Sequence, residues 1–449
     1  MGKNVKIKRG MDIPLEGKPS THIHAISSST TFAIKPTDFK GLIPKLRIKQ
    51  GEEVSVGDCL FTDKKNDKIC FTSPVSGEVA EIVRGDRRAI TAIKILADSS
   101  EYKFKEFDIQ NYPSKNVDEI KAILLESGLW PFITQRPYGV IADTEVTPKS
   151  IHVSGFDSSP LAADLGVSLR GQESQLETGF KILNMLSEGG VYLNLHAKKD
   201  NTIYQNIKDV NVSYFDGPHP SGLVGVQINN LDPINKGDIV WTIKPQHVAF
   251  IGKLFETGKL DFEQNIVIAG SEVKEPAYYT TRLGASVDSL MNDNYKSENV
   301  RVISGNVLTG TKIDKDGYLG FFDNQVTVIP EGNQYELLGW LFPSYARPTL
   351  SPSLPISKYL KKSFNVNTNP HGEPRAYVVT GQYEKVLPMD IMPQQLIKAV
   401  MAKDLELMEN LGIYEVIEED MALCEFVCTS KINVQQVLSE GLELMAEES

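Results

Sequence analysis

Apolar positions change period along this chain. From about residue 36 to 97 they fall in short β-type runs broken by glycine turns, as in Leu46-Arg47-Ile48-Lys49-Gln50-Gly51, Gly57-Asp58-Cys59-Leu60-Phe61 and Ser73-Pro74-Val75-Ser76-Gly77. That spacing predicts a small antiparallel β domain. From 115 to 257 the rhythm becomes α/β. Asn116 and Glu119 have capping-box spacing, Ile120, Ile123 and Leu124 share a helical face, and Gly128 ends the helix. A strand follows at Ser150–Ser154, then helical spacing at Leu176, Phe180, Leu183 and Leu186, then Gly189-Gly190 and a strand at Val191–Leu195. Strands alternating with helices of this length predict a parallel, Rossmann-like sheet. From 262 to 335 the pattern is β-rich with one short helix, its strands at Ile266–Gly270, Val300–Gly305 and Gln325–Ile329. From 385 to 449 it is helical, with Val434, Val437, Leu438, Gly441, Leu442 and Met445 on one stripe that reads as core packing. The fold class expected is therefore α/β multidomain, with an N-terminal segment (1–35) ahead of these units and a linker at 337–372.

Composition narrows the function. At 449 residues the chain has room for about three domains, and no apolar run approaches the ~20 residues of a membrane span. Four scattered cysteines and the lack of a signal-like apolar start place the expected compartment in the cytoplasm. A net charge of −11 argues against a nucleic-acid partner. The acid residues are unevenly spread, with none from Leu337 to Gly372, where Arg347, Lys358, Lys361 and Lys362 sit among prolines and aromatics. That stretch reads either as a long surface loop or as a docking arm for another subunit or an anionic membrane face.

Most motif-like groups carry little chemistry. His22 and His24 share a strand face, which fits a solvated surface better than a zinc site lacking further ligands. Asp314-Lys315-Asp316-Gly317 opens like a calcium loop, but Gln325 stands where a bidentate glutamate is needed. His219 lies between Pro218 and Pro220 and reads as a bend, with a ligand or proton path as the alternative. Neither G-x-G-x-x-G, a Walker sequence, G-x-S-x-G nor H-E-x-x-H occurs. Cys424 and Cys428 are two thiols where a four-iron cluster normally takes four, and joining them to Cys59 and Cys70 through a metal lacks support in the sequence.

Several words, kept in order over nearly the whole length, resemble one family. They include Lys8-Arg9-Gly10-Met11-Asp12-Ile13-Pro14, Gly128-Leu129-Trp130 with Arg136-Pro137-Tyr138, Asp157-Ser158-Ser159-Pro160, Phe215-Asp216-Gly217-Pro218-His219-Pro220, Arg301–Gly310 and the cysteine-bearing tail. The family is the NqrA component of the sodium-translocating NADH:quinone oxidoreductases. It is in turn similar to RnfC and to the NADH-binding subunit of complex I. The resemblance implies a peripheral subunit on the cytoplasmic face of the bacterial inner membrane, in a complex with integral membrane subunits that as a whole oxidises NADH, reduces quinone and exports sodium ions.

The residues 36–97 also resemble the hammerhead domain of biotinyl and lipoyl carriers, and 262–335 a soluble-ligand-binding β-grasp domain. In the carriers a lysine sits at a hairpin tip; here that position falls on Asn66, so neither biotin nor lipoate is expected. The relatives' flavin loop corresponds to Gly128–Tyr138, whose bulky side chains keep the backbone from a phosphate. No flavin or iron–sulfur cluster is expected on this chain. An aromatic wall of Trp130, Phe132 and Tyr138 with the Arg136 cation suits a quinone, ubiquinone or menaquinone, or else these residues pack beneath the sheet with Arg136 on a carboxylate. The leading expectation is a quinone-contacting subunit that is not catalytic alone. A scaffold without a ligand is the alternative, and a stand-alone flavin NADH dehydrogenase the third reading.

Overall fold

The computed structural model describes residues 2–25, 29–99, 101–334, 348–350 and 363–448. At its centre is a seven-stranded sheet in the order Asn4–Lys6, Asn211–Asp216, Val191–His196, Ser150–Ser154, Val240–Thr242, Thr134–Arg136 and Val140–Ile141. The first five strands are mutually parallel, and the last two form an antiparallel edge hairpin. Ser150–Ser154 and Val191–His196 are buried at almost every position, as central parallel strands covered on both faces must be. The expected helix forms over Val117–Ser127, with the Asn116–Glu119 capping box in place and Gly128 ending it at φ 76°. Glu173–Leu186 and Pro245–Thr257 supply further cover, turning Leu176, Phe180 and Leu183 inward.

The N-terminal unit is a pair of antiparallel sheets. One holds Thr31–Ile34, Ile90–Ala97, Gly77–Arg84 and Glu53–Val54; the other holds Pro44–Leu46, Cys59–Asp63 and Cys70–Thr72. Phe32, Leu60, Phe61, Phe71, Val79 and Ile93 fill the space between them. Asn66, at the hairpin tip, donates to Thr144 Oγ1 at 3.0 Å, so this tip is docked on the central unit. Residues 263–330 contribute five strands to a mixed six-stranded sheet, and the short helix Val287–Met291 packs with it. The C-terminal unit contains Pro393–Ala402, Leu405–Asn410, Glu418–Phe426 and Val434–Glu447 around Leu396, Met421, Leu423, Leu438 and Leu442.

The opening residues bind these parts together. Asn4–Lys6, Ile23–Ala25 and Thr31–Ile34 each add an edge strand to a different sheet. Ile7, Ile13 and Leu15 are buried in the same apolar cluster as the C-terminal helices. Arg347, Lys358, Lys361 and Lys362, the docking candidates, lie outside the described residues.

Candidate functional site

The stretch from Gly128 to Ile141 reaches every unit of the molecule. Gly128 is left-handed and lies so close to the N-terminal unit that a Cβ here would stand 2.4 Å from Thr72 Oγ1. Trp130 is fully buried, donates through Nε1 to the Ala142 carbonyl at 2.8 Å, and meets Trp241 edge-on with centroids 5.3 Å apart. Phe132, also buried, stacks on Phe321 of the six-stranded unit at 4.3 Å and lies 4.3 Å from the His247 ring. Thr134–Arg136 pairs with Val240–Thr242, and the turn runs through a cis Arg136–Pro137 bond and Tyr138 at φ 82°. Tyr138 is half-buried and faces Tyr414 of the C-terminal unit edge-on at 6.3 Å.

Arg136 is the pivot. Its guanidinium is buried at 1% exposure, with Nη1 donating to Asp420 at 2.5 Å and Nη2 to Glu419 at 2.7 Å. Burial works against the charge, and the two carboxylates more than offset it, so its pKa lies above the ordinary value. Asp420 also accepts from the Ile417 backbone N–H at 3.0 Å. Glu419 is a third exposed on its side chain, and burial raises its pKa against the pull of Arg136. Opposite them is Gly225, in the first turn of helix Val224–Leu231, where a Cβ would meet Asp420 Oδ1 at 2.3 Å and Arg136 Nη1 at 2.5 Å. Only glycine lets the ion cluster approach that helix so closely. Asp420 lies against the start of that helix, its Oδ1 without a hydrogen-bond partner among the described residues.

Of the four residues picked from the sequence, Trp130 and Phe132 turn their faces into the core and Arg136 spends both Nη atoms on carboxylates. Tyr138, the fourth, is half-buried at the edge of the segment. The carboxylate partners expected for Arg136 are present as Asp420 and Glu419. The residues that sequence reading missed are Glu419, Asp420 and Gly225. The acid run Glu418-Glu419-Asp420 at a helix start was the available signal, since acids there ordinarily just face the helix dipole.

A second polar group lies past the carboxyl ends of strands Ser150–Ser154 and Asn211–Asp216, where ligands of open α/β sheets commonly bind. His219 is buried there, its Nδ1 3.0 Å from Ser158 Oγ, while its backbone N–H donates to Asp12 at 2.8 Å. Burial lowers its pKa, opposed by Asp157 and Asp12. The bend expected at Pro218–Pro220 is present and contains a cis His219–Pro220 bond. His22 and His24 touch edge-on at 4.4 Å, and His24 stacks on Tyr279. Cys424 and Cys428 are buried among apolar side chains, well within the C-terminal core. Among the described residues, no group of three or more His, Cys, Asp or Glu is placed to hold a metal ion, and no helix is long and apolar enough to cross a membrane.

The fold and this junction define a mixed α/β, multidomain protein with an N-terminal barrel-sandwich unit and a helical C-terminus, welded by a buried arginine. Three family models match it in order: the NqrA N-terminal barrel-sandwich hybrid domain over residues 5–98, the NqrA second alpha/beta domain over 115–260, and the NQRA C-terminal domain over 265–315. Curated relatives match throughout. The NqrA component of the Na(+)-translocating NADH-quinone reductase of Actinobacillus pleuropneumoniae serotype 5b is 36% identical over 448 residues, 99% of this chain and 100% of that protein. Its counterparts in Hahella chejuensis and Haemophilus influenzae are 37% and 35% identical with the same coverage. The chain belongs to the NqrA family, one of the subunits of the Na(+)-translocating NADH-quinone reductase.

Proposed function

We propose that this chain is the peripheral, quinone-contacting subunit of a sodium-pumping NADH:quinone oxidoreductase, assembled on integral membrane subunits at the cytoplasmic face. The full-length match to the NqrA relatives carries the reading. Electron carriers are supplied by the partners, and this chain holds no flavin, cluster, biotin or lipoate of its own. The negative charge of Asp420 beside Gly225, and the bulky groups of the Gly128–Tyr138 segment, oppose a flavin phosphate there.

The quinone, ubiquinone or menaquinone, docks on the segment Trp130–Tyr138. Tyr138 stands at its rim, Trp130 and Phe132 anchor the segment to the core behind it, and Arg136 fixes it through Glu419 and Asp420. The central sheet is Rossmann-like, the six-stranded unit is of the β-grasp type, and the units follow the ranges read from the sequence. Arg347, Lys358, Lys361 and Lys362, in an acid-free stretch, supply a cationic docking arm for the partner subunits.

The test is membranes from cells lacking this chain and cells carrying it. The reading predicts that NADH oxidation with an artificial acceptor survives its loss while quinone reduction and sodium uptake stop, and that both return with the chain. Quinone reduction at the full rate without it would overturn the reading.

A further inference from the structure

Cys59 and Cys70 lie on neighbouring antiparallel strands, Cys59–Asp63 and Cys70–Thr72. The register sets Cys59 opposite Thr72 and Thr62 opposite Cys70, with a bulge between Cys59 and Phe61. Cys70 and Thr72 are two residues apart and share a face of the sheet. Cys59, facing Thr72, shares it too, so the cysteines are diagonal cross-strand neighbours on one face. The Cys59 thiol donates to the Phe61 carbonyl at 3.3 Å, a bond that keeps its proton in place. Both are partly exposed, whereas Cys424 and Cys428 are buried.

We propose that Cys59 and Cys70 form an oxidisable dithiol that a hydroperoxide converts to an intramolecular disulfide. The two sulfurs are not equivalent. The neighbouring Cys59 thiol lowers the pKa of Cys70, with Lys105 and Arg47 adding to it against burial. Cys59 is raised by Cys70 and by burial. Because the Cys59 proton is held on the Phe61 carbonyl while Cys70 faces the cations, Cys70 is the attacking thiolate and Cys59 the resolving thiol.

With hydrogen peroxide, the Cys70 thiolate attacks one oxygen and the O–O bond breaks. Cys70 becomes a sulfenic acid, and the departing hydroxide takes up the proton Cys70 gave, leaving as water. The Cys59 sulfur then attacks the sulfenic sulfur. The S–S bond forms, the S–O bond breaks, and the hydroxyl departs with the Cys59 proton as a second water. The thiols lose two electrons and two protons, and the peroxide gains both. The link has a route to the junction, because Thr72 accepts no slack: its Oγ1 donates to the Ser127 carbonyl at 3.0 Å and its side chain abuts Gly128.

The test uses the full chain, reduced, freed of reductant and exposed to hydrogen peroxide, then alkylated and analysed by peptide mass spectrometry. The expected result is a fall from four alkylatable thiols to two, with a Cys59–Cys70 linked peptide lighter by two hydrogens and restored by dithiothreitol. Cys59→Ser then leaves a sulfenic acid on Cys70 that dimedone traps, and Cys70→Ser leaves Cys59 reduced. An unchanged thiol count, a link through Cys424, Cys428 or a second chain, or Cys59 oxidising as fast in Cys70→Ser as in the native chain overturns the proposal. The native thiol count needs no variant, so it holds even if a substitution impairs folding.

Discussion

Arg136→Met removes the cation from the ion cluster and leaves Asp420, whose side chain is wholly buried, with only the Ile417 N–H for company. Breaking a buried pair by deleting one partner costs about 3–5 kcal/mol, most of it the stranded charge. Glu419 adds little to that figure. Its carboxylate is a third exposed and can hydrate, so Glu419→Gln on its own is expected to cost about 1 kcal/mol or less. The paired substitution Arg136→Met with Asp420→Leu removes both buried charges at once. It still forfeits the bond to Ile417, about 1 kcal/mol for a lost cap, so the double variant should sit within ~1–2 kcal/mol of the native chain, far below the sum of two single losses. A chain of several units need not unfold in one step. The assay is therefore amide hydrogen exchange in helix Glu418–Phe426, whose opening free energy reads the clamp locally. A loss under ~1 kcal/mol for Arg136→Met, or single losses that simply add in the double variant, would refute the reasoning.

Two further outcomes follow from the same structure. His152 is fully buried beside Ser150 and stacked on Tyr192, and burial, helped by Arg136 and Lys149, lowers its pKa from 6.5 to about 3. The unfolded chain takes up this proton below pH 6.5 and the folded chain does not, so stability is complete above pH 6.5 and falls on acidification. By pH 5 the loss from this one group is about 2 kcal/mol, and His152→Phe should flatten that part of the urea-unfolding profile between pH 7.5 and 5. Gly225→Ala should destabilise by about 1–3 kcal/mol through overpacking against Asp420 and Arg136, although alanine gains about 1 kcal/mol in an open helix; a variant as stable as the native chain in urea contradicts the close approach.

Local order was legible in the sequence wherever neighbouring residues decide it. The Asn116–Glu119 box, the Gly128 stop and the strands read at 150–154 and 191–195 depend on spacing and on turn chemistry a few residues away, and they form, the second running one residue further to His196. What stayed hidden depends on distant partners. Arg136 meets an acid 284 positions later, and no local pattern distinguishes a clamp from a free cation. The same holds for the opening strands, which are three or four residues long and gain their place only from the sheets they join. Phe132 and Trp130 read equally well as a ligand wall or as core, since both uses need large apolar faces; the packing with Phe321 and Trp241 comes from units far along the chain.

The most direct measurement is quinone affinity in the assembled, purified complex, carrying either the native chain or Tyr138→Ala, with assembly checked on native gels. Tyr138 is half-buried at the edge of the segment, so its loss changes the rim without opening the core. The account predicts a complex that assembles normally and oxidises NADH with an artificial acceptor at the native rate, while KM for a short-tail quinone rises severalfold. An unchanged KM, together with no saturable quenching of Trp130 and Trp241 fluorescence by the quinone, would contradict it and leave the chain a scaffold.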